Sequence, residues 1–321
     1  MTTALIPQDE EARAPLAAVL AQAQDYVRHA KAAATWRAYQ SDWRDFERWC
    51  LAHTLAPMPA APQTVALYLS DLAQRCKVST LQRRLAAISQ VHQAVGVVSP
   101  SSAGPVRLVM AGIRRAKGTA QTAKAPVVTA TLQAMLRTLP DRLIGQRDRA
   151  LLLVGFAGAL RRSELVGLDV GDITFPREGM VITLRRSKND QEGQGRTIGI
   201  PLGANPDTCP VRAVEAWLQA ARITSGPVFR AITRHGQLRP GRLSDKAVAL
   251  IVKRAAQAAG LDPRAYAGHS LRAGLATAAA AAGVSERAIM NQTGHKSVAV
   301  ARRYIRAGSL FRENAAAAVG L

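Results

Sequence analysis

The chain has 321 residues, enough for about two domains that each bury their own core, and 48% of them are apolar, which is ordinary for a soluble protein. Its 43 Lys and Arg outnumber 22 Asp and Glu for a formal charge of +21; solubility alone needs no more than about eight units, so the surface asks for a polyanionic partner. The longest apolar runs fall short of the ~18 to 20 residues that span a bilayer, and three scattered cysteines form neither a disulfide framework nor a zinc knuckle, which together fit a reducing cytoplasm.

The excess charge is mostly arginine, whose planar fork suits phosphates and guanine edges. Residues 1–14, with acidic Pro7-Gln8-Asp9-Glu10-Glu11, are expected to be disordered and carry no secretory signal. From Pro15 the pattern turns helical. Thr35 is a candidate N-cap for a helix with Trp36, Tyr39, Trp43, Phe46 and Cys50 on one face, which reads as bundle core rather than a base-stacking platform. Pro62 suits the first turn of the next helix, through Val65, Leu67 and Leu72. Ser79 or Thr80 is expected to cap another, with Leu81, Leu85, Ile88 and Val95 inward and Arg83 and Arg84 outward. Arg107, Arg114, Arg115 and Lys117 continue the basic theme. Residues 15–117 thus predict a helical bundle that offers arginines to DNA grooves or phosphates.

Residues 118–129 lose apolar periodicity and read as a flexible linker. The second domain, 130–321, opens with helices near Ala130–Leu139 and Gly145–Leu160. Three strand-like stretches follow, Asp172–Phe175, Met180–Leu184 and Thr197–Pro201, and predict a small three-stranded antiparallel sheet. Lys188 falls in the turn after the second and is the only lysine between Lys124 and Lys246. From Pro210 onward the pattern is helical, with a basic helix that bears Lys246, Lys253 and Arg254. The predicted class is mainly α, a bundle followed by a mixed α+β domain.

Three local patterns then appear in order. They are Gly158-Ala159-Leu160-Arg161-Arg162-Ser163-Glu164-Leu165, Gly268-His269-Ser270-Leu271-Arg272-Ala273-Gly274, and Gly294-His295 with Tyr304 nine residues later. A phosphodiester under attack gains negative charge on its equatorial oxygens, which two arginines can stabilise where other enzymes use metal ions. The chain shows no clustered carboxylates for Mg²⁺ and no P-loop, so no cofactor is expected. A covalent tyrosine ester would keep the energy of the broken bond without ATP.

Order and spacing together resemble the two signature boxes of the tyrosine recombinases, or phage integrases, over about Ala34 to Tyr304. Ala34-Thr35-Trp36, the Val78–His92 stretch and Arg242-Leu243-Ser244-Asp245-Lys246 extend the likeness beyond the boxes. The resemblance implies a SAM-like core-binding bundle and a catalytic domain. It implies Tyr304 as nucleophile, Arg161 and Arg272 as phosphate clamps, Lys188 as general acid, and His269 and His295 at the phosphate, with Glu164 as an orienting group. Arg162, beside Arg161, is the alternative arginine, although the glutamate spacing favours Arg161. Gln292-Thr293 stand where the family usually carries leucine before its second Gly-His.

The implied activity is site-specific DNA recombination through a 3′-phosphotyrosyl intermediate and a Holliday junction. Its rivals are a type IB topoisomerase-like activity and a non-catalytic DNA-binding accessory role. The expected partners are duplex DNA with an inverted-repeat site and a homotetramer on two duplexes, associated with the nucleoid. The two domains are expected to grip the duplex as a clamp through Arg37, Arg83, Arg84, Lys246, Lys253 and Arg254. The tail from Leu310 to Val319 is expected to dock on a neighbouring protomer. With the bundle starting near residue 15, no further arm-binding domain is expected.

Overall fold

Phe46 and Cys50 lie one turn apart on α2 (Ala33–Ala52), and both are fully buried. The computed structural model describes residues 10–119, 123–185, 195–295 and 297–308, and the chain divides into two compact units, Met1–Thr122 and Ala123–Leu321. In the first unit α2 packs with α3 (Pro62–Ala73), α4 (Val78–Ala94) and α5 (Gly104–Lys117) around Phe46, Val65, Tyr68, Leu69, Leu72, Leu81, Ile88, Val106 and Met110. Ahead of them runs α1 (Glu10–His29), which begins within the segment expected to be disordered and is exposed along its described side chains.

Local expectations in this unit need four corrections. Thr35 does not cap α2: its N–H already donates to the Ala32 carbonyl, because the helix-favouring alanines before it carry the first turn back to Ala33. Neither Ser79 nor Thr80 caps α4, which starts at Val78, a residue the core buries. Leu67 and Val95 are exposed, Leu67 on the outer face of α3 and Val95 beyond the last turn of α4. Arg84 does not point outward: its guanidinium is held by Asp45 and the Tyr68 hydroxyl and is only 16% exposed. Arg83 forms a two-pronged ion pair with buried Asp42, at 2.7 and 2.9 Å. Buried Asp42 and half-buried Asp45 hold the two arginines, but only Arg84 is drawn inward; Arg83, 51% exposed, stays on the outward face as expected.

The second unit opens on the stretch read as linker, and its last residues are not loose. The Ala125 N–H donates to the Ala265 carbonyl at 2.8 Å, the Val127 N–H to the Ser270 carbonyl at 2.9 Å, and Val127 is fully buried. Then come α6 (Thr129–Arg137), α7 (Leu143–Ala157) and α8 (Arg162–Gly167). The run Ala150 to Val154 of α7 is buried on all sides, which makes it the central helix of the unit.

The predicted sheet is present, as β1 (Ile173–Thr174), β2 (Gly179–Leu184) and β3 (Arg196–Pro201), antiparallel in that order with Ile182 opposite Ile198. Alternation places Met180, Ile182, Leu184, Ile198 and Ile200 on the core face. After α9 (Pro210–Ala220) a second sheet appears that the strand pattern does not announce, β4 (Arg230–Ile232) with β5 (Leu238–Arg242). Leu-Arg-Pro-Gly-Arg lacks β-branched residues; the pairing follows from the turn, where Thr233 N–H bonds to the Gln237 carbonyl and Gly236 takes φ 81°. Four helices complete the unit, α10 (Asp245–Ala258), α11 (Ser270–Ala281), α12 (Glu286–Thr293) and α13 (Val298–Gly308). Ala276 and Ala280 of α11 pack with Ile289 of α12 against Tyr304 and Ile305 of α13. No helix among the described residues is long and apolar enough to cross a membrane.

Candidate active site

After α7 the chain turns through Ala159 at φ 47° and reaches Arg161, the residue before α8. Glu164, in the first turn of α8 and buried, accepts from the Arg161 backbone N–H at 2.8 Å and from its guanidinium at 2.5 Å. One carboxylate therefore holds both ends of Arg161. Arg162 turns away, 3.8 Å from Asp245, and Gly268 leaves the room its side chain needs, since a Cβ there would lie 2.3 Å from Arg162 Cδ.

His269 immediately precedes α11 and Arg272 lies in its first turn. Arg272 is 1% exposed; one arm donates to the Ala159 carbonyl at 2.7 Å, and its Nη2 has no hydrogen-bond partner. Burial first, and then the Arg161 charge, pull its pKa down to about 10, so it stays a cation near neutral pH. A buried guanidinium with an unmatched donor is a demand for an anion.

Gly294 ends α12 in the left-handed conformation, φ 64°, and places His295 over the site. Thr293 is fully buried, and its hydroxyl donates to the Ile289 carbonyl at 2.7 Å. A hydroxyl has one proton, so the 2.8 Å contact between Thr293 Oγ1 and His295 Nδ1 is a bond the imidazole donates. Burial and the neighbouring Arg272 and Arg161 lower the His295 pKa to about 4. Neutral at pH 7, its ring stacks on Tyr304 with centroids 5.8 Å apart. Tyr304, on α13, places its hydroxyl 2.7 Å from His269 Nε2.

Arg161, Glu164, His269, Arg272, His295 and Tyr304 are thus brought together by the N-terminal ends of α8 and α11, the C-terminal end of α12 and the middle of α13. Lys188 lies outside the described residues, as does the tail from Leu310 to Val319. Arg37 and Lys246 are exposed, Lys253 is half-buried, and Arg254 lies 3.6 Å from Asp148. Sequence reasoning missed the roles of Thr293, the Ala159 carbonyl and Arg196; Ala159 lies inside the first motif and Thr293 borders the third, but only tertiary contact reveals what they hold. In the Gln292-Thr293 departure both side chains make polar contacts. The Gln292 side-chain amide donates to the Ala157 carbonyl at 2.8 Å and reaches the Gly199 carbonyl at 3.3 Å, tying α12 to α7 and β3 where leucine would only pack.

The profile of the phage integrase family matches residues 128–309, the segment that contains every member of this constellation. The chain belongs to the phage integrase family. An integrase/recombinase xerD homolog of Selenomonas ruminantium is 45% identical over 298 residues, which cover 92% of this chain and 87% of that protein. Recombinase cre of Escherichia phage P1 is 28% identical over 85% of this chain and 83% of its own length. Among solved structures, the Tn1549 transposon integrase in complex with transposon right end DNA superposes with a TM-score of 0.63, at 15% identity, over 88% of this chain and 92% of that one. That similarity establishes a shared fold. This family member brings together a tyrosine hydroxyl, a histidine ring nitrogen within hydrogen-bond reach of it and two guanidiniums, groups that suit attack on a phosphodiester.

Proposed function

We propose that this integrase-family chain recombines DNA at specific sites through a covalent 3′-phosphotyrosyl intermediate. The observation that carries the reading is the Tyr304 hydroxyl 2.7 Å from His269 Nε2, beside a buried Arg272 with an unpaired donor. As Tyr304 Oη bonds to phosphorus, its proton passes to His269 Nε2. Arg161 and Arg272 receive the charge on the non-bridging oxygens, an electrostatic contribution worth about 10² to 10³ in rate per donor. The bond from phosphorus to the 5′ oxygen breaks, and that oxygen takes a proton from the Lys188 ammonium, a role worth roughly 10² to 10⁴ in rate. The free 5′-hydroxyl of a partner strand then reverses the sequence and releases Tyr304.

The proposal extends to assembly. Residues 15–117 act as the core-binding domain and 130–321 as the catalytic domain on inverted-repeat duplex DNA, and four copies join two duplexes into a Holliday junction in the cytoplasmic nucleoid. Among the basic residues, Arg37 and Lys246 suit phosphate contact because they are exposed. Selection of bound duplexes from a random pool would supply the site, and incubation with a nicked half-site would trap the adduct. We expect wild type to form a covalent protein–DNA band and Tyr304→Phe to bind the half-site without forming one. An adduct with Tyr304→Phe would sink the nucleophile assignment. Relaxation of supercoiled plasmid without sequence preference would point to a topoisomerase instead.

A further inference from the structure

A third guanidinium enters this site from an element that no signature box includes. Arg196 opens β3, and its Nη1 donates to the Gln292 carbonyl at 3.1 Å and the Asn291 carbonyl at 3.4 Å, in the last turn of α12. On the other side its Nη2 lies 3.9 Å from Glu164, the carboxylate that holds Arg161. Its Nε and Nη2 are buried without a hydrogen bond. The fit around it is close: a Cβ on Gly294 would lie 2.8 Å from both Cζ and Nη1 of Arg196. Gly294 is therefore required twice, for its left-handed backbone and for the space the guanidinium occupies.

We propose that Arg196 is a positioning residue that locks the carbonyl end of α12 to the Glu164–Arg161 pair and so fixes where His295 stands relative to the phosphate-binding arginines. His295 follows that helix end after a single glycine, so any slack in α12 moves the imidazole directly. A cation at helix-terminal carbonyls is also favourably placed against the helix dipole. Charge gives the same residue a second effect. Arg161, Arg196 and Arg272 surround one carboxylate, Glu164, and the excess positive charge both favours an anionic transition state and disfavours a protonated His295.

This inference rests on the strand-transfer reading above, and wild-type adduct formation on the selected nicked half-site tests that reading by itself. With wild type active, we expect Arg196→Ala to cleave about 10²-fold more slowly in single turnover, the scale of an ångström-sized misplacement, while half-site affinity is retained. Methylguanidinium in the buffer should restore part of that rate. A purely packing role would leave the His295 titration in place, whereas loss of this cation should move it upward, as followed by ring-proton NMR. Arg196→Lys serves as the second variant should alanine fail to fold: it keeps the charge but cannot bridge both sides, so cleavage should slow while the His295 titration stays put. Wild-type cleavage by Arg196→Ala or Arg196→Lys, or a His295 titration unmoved in Arg196→Ala, would overturn the proposal.

Discussion

His295 shows how one half-buried side chain ties the site to pH. Its pKa in the folded chain, about 4, lies below the ordinary 6.5, because burial and the nearby arginines disfavour the imidazolium. Between those values the unfolded chain binds a proton that the folded chain refuses, so the stability linked to this residue is complete above about pH 6.5 and drains away as pH falls toward 4. We expect the melting temperature of wild type to drop more steeply over that window than that of His295→Gln, and parallel curves would exclude the assignment. The residue types here were legible in the sequence, because an attacked phosphodiester needs a nucleophile, proton carriers and cations. Their partners were not. Thr293 orients His295 from two residues away, and Arg196 braces its helix end from a strand 96 residues distant in the chain.

Among the elements, α11 depends on a glycine for reasons unrelated to turns. Gly274 lies mid-helix, where Gly to Ala ordinarily stabilises by about 0.5 to 1 kcal/mol. Here a Cβ would meet the Val127 carbonyl oxygen at 1.9 Å, a backbone atom that cannot step aside. Gly274→Ala should therefore destabilise the second unit by roughly 1 to 3 kcal/mol, as overpacking does. Gly112, also in a helix, has nothing within 4 Å of its Cβ position, so Gly112→Ala should stabilise the first unit by about 0.5 to 1 kcal/mol. Thermal unfolding of the two variants checks both signs, and a stabilised Gly274→Ala would show that Val127 can move. The same contact explains why residues 125–128 looked like linker: their order comes from α11 and the Ala265 carbonyl, not from any periodicity of their own.

On the scale of the whole molecule the charge of +21 has a measurable consequence. Each phosphate neutralised releases counterions, so the logarithm of DNA affinity should fall linearly with the logarithm of salt, at about 0.9 per contact. A chain making 6 to 10 contacts would lose about 10³ to 10⁵ in affinity between 50 and 200 mM salt. Replacing exposed Arg37 or Lys246 by Ala should shallow that slope by about one unit without altering sequence preference. An unchanged slope would remove that residue from the DNA contacts.

By itself the sequence determined the family, the residue types of the candidate site and the kinds of element, because net charge, residue type and hydrophobic period are local properties of a chain. Phe46 and Cys50 on one helix face and the alternating strand Met180 to Leu184 are of this sort. Tertiary structure alone decided which polar groups face one another. It drew Arg84 toward Asp45 and Tyr68, and gave one arm of Arg272 to the Ala159 carbonyl while leaving its Nη2 without a partner. It also paired Leu238–Arg242 as a strand despite its composition. Such outcomes depend on where a buried donor finds its acceptor once the elements have packed, and no local pattern records that distance.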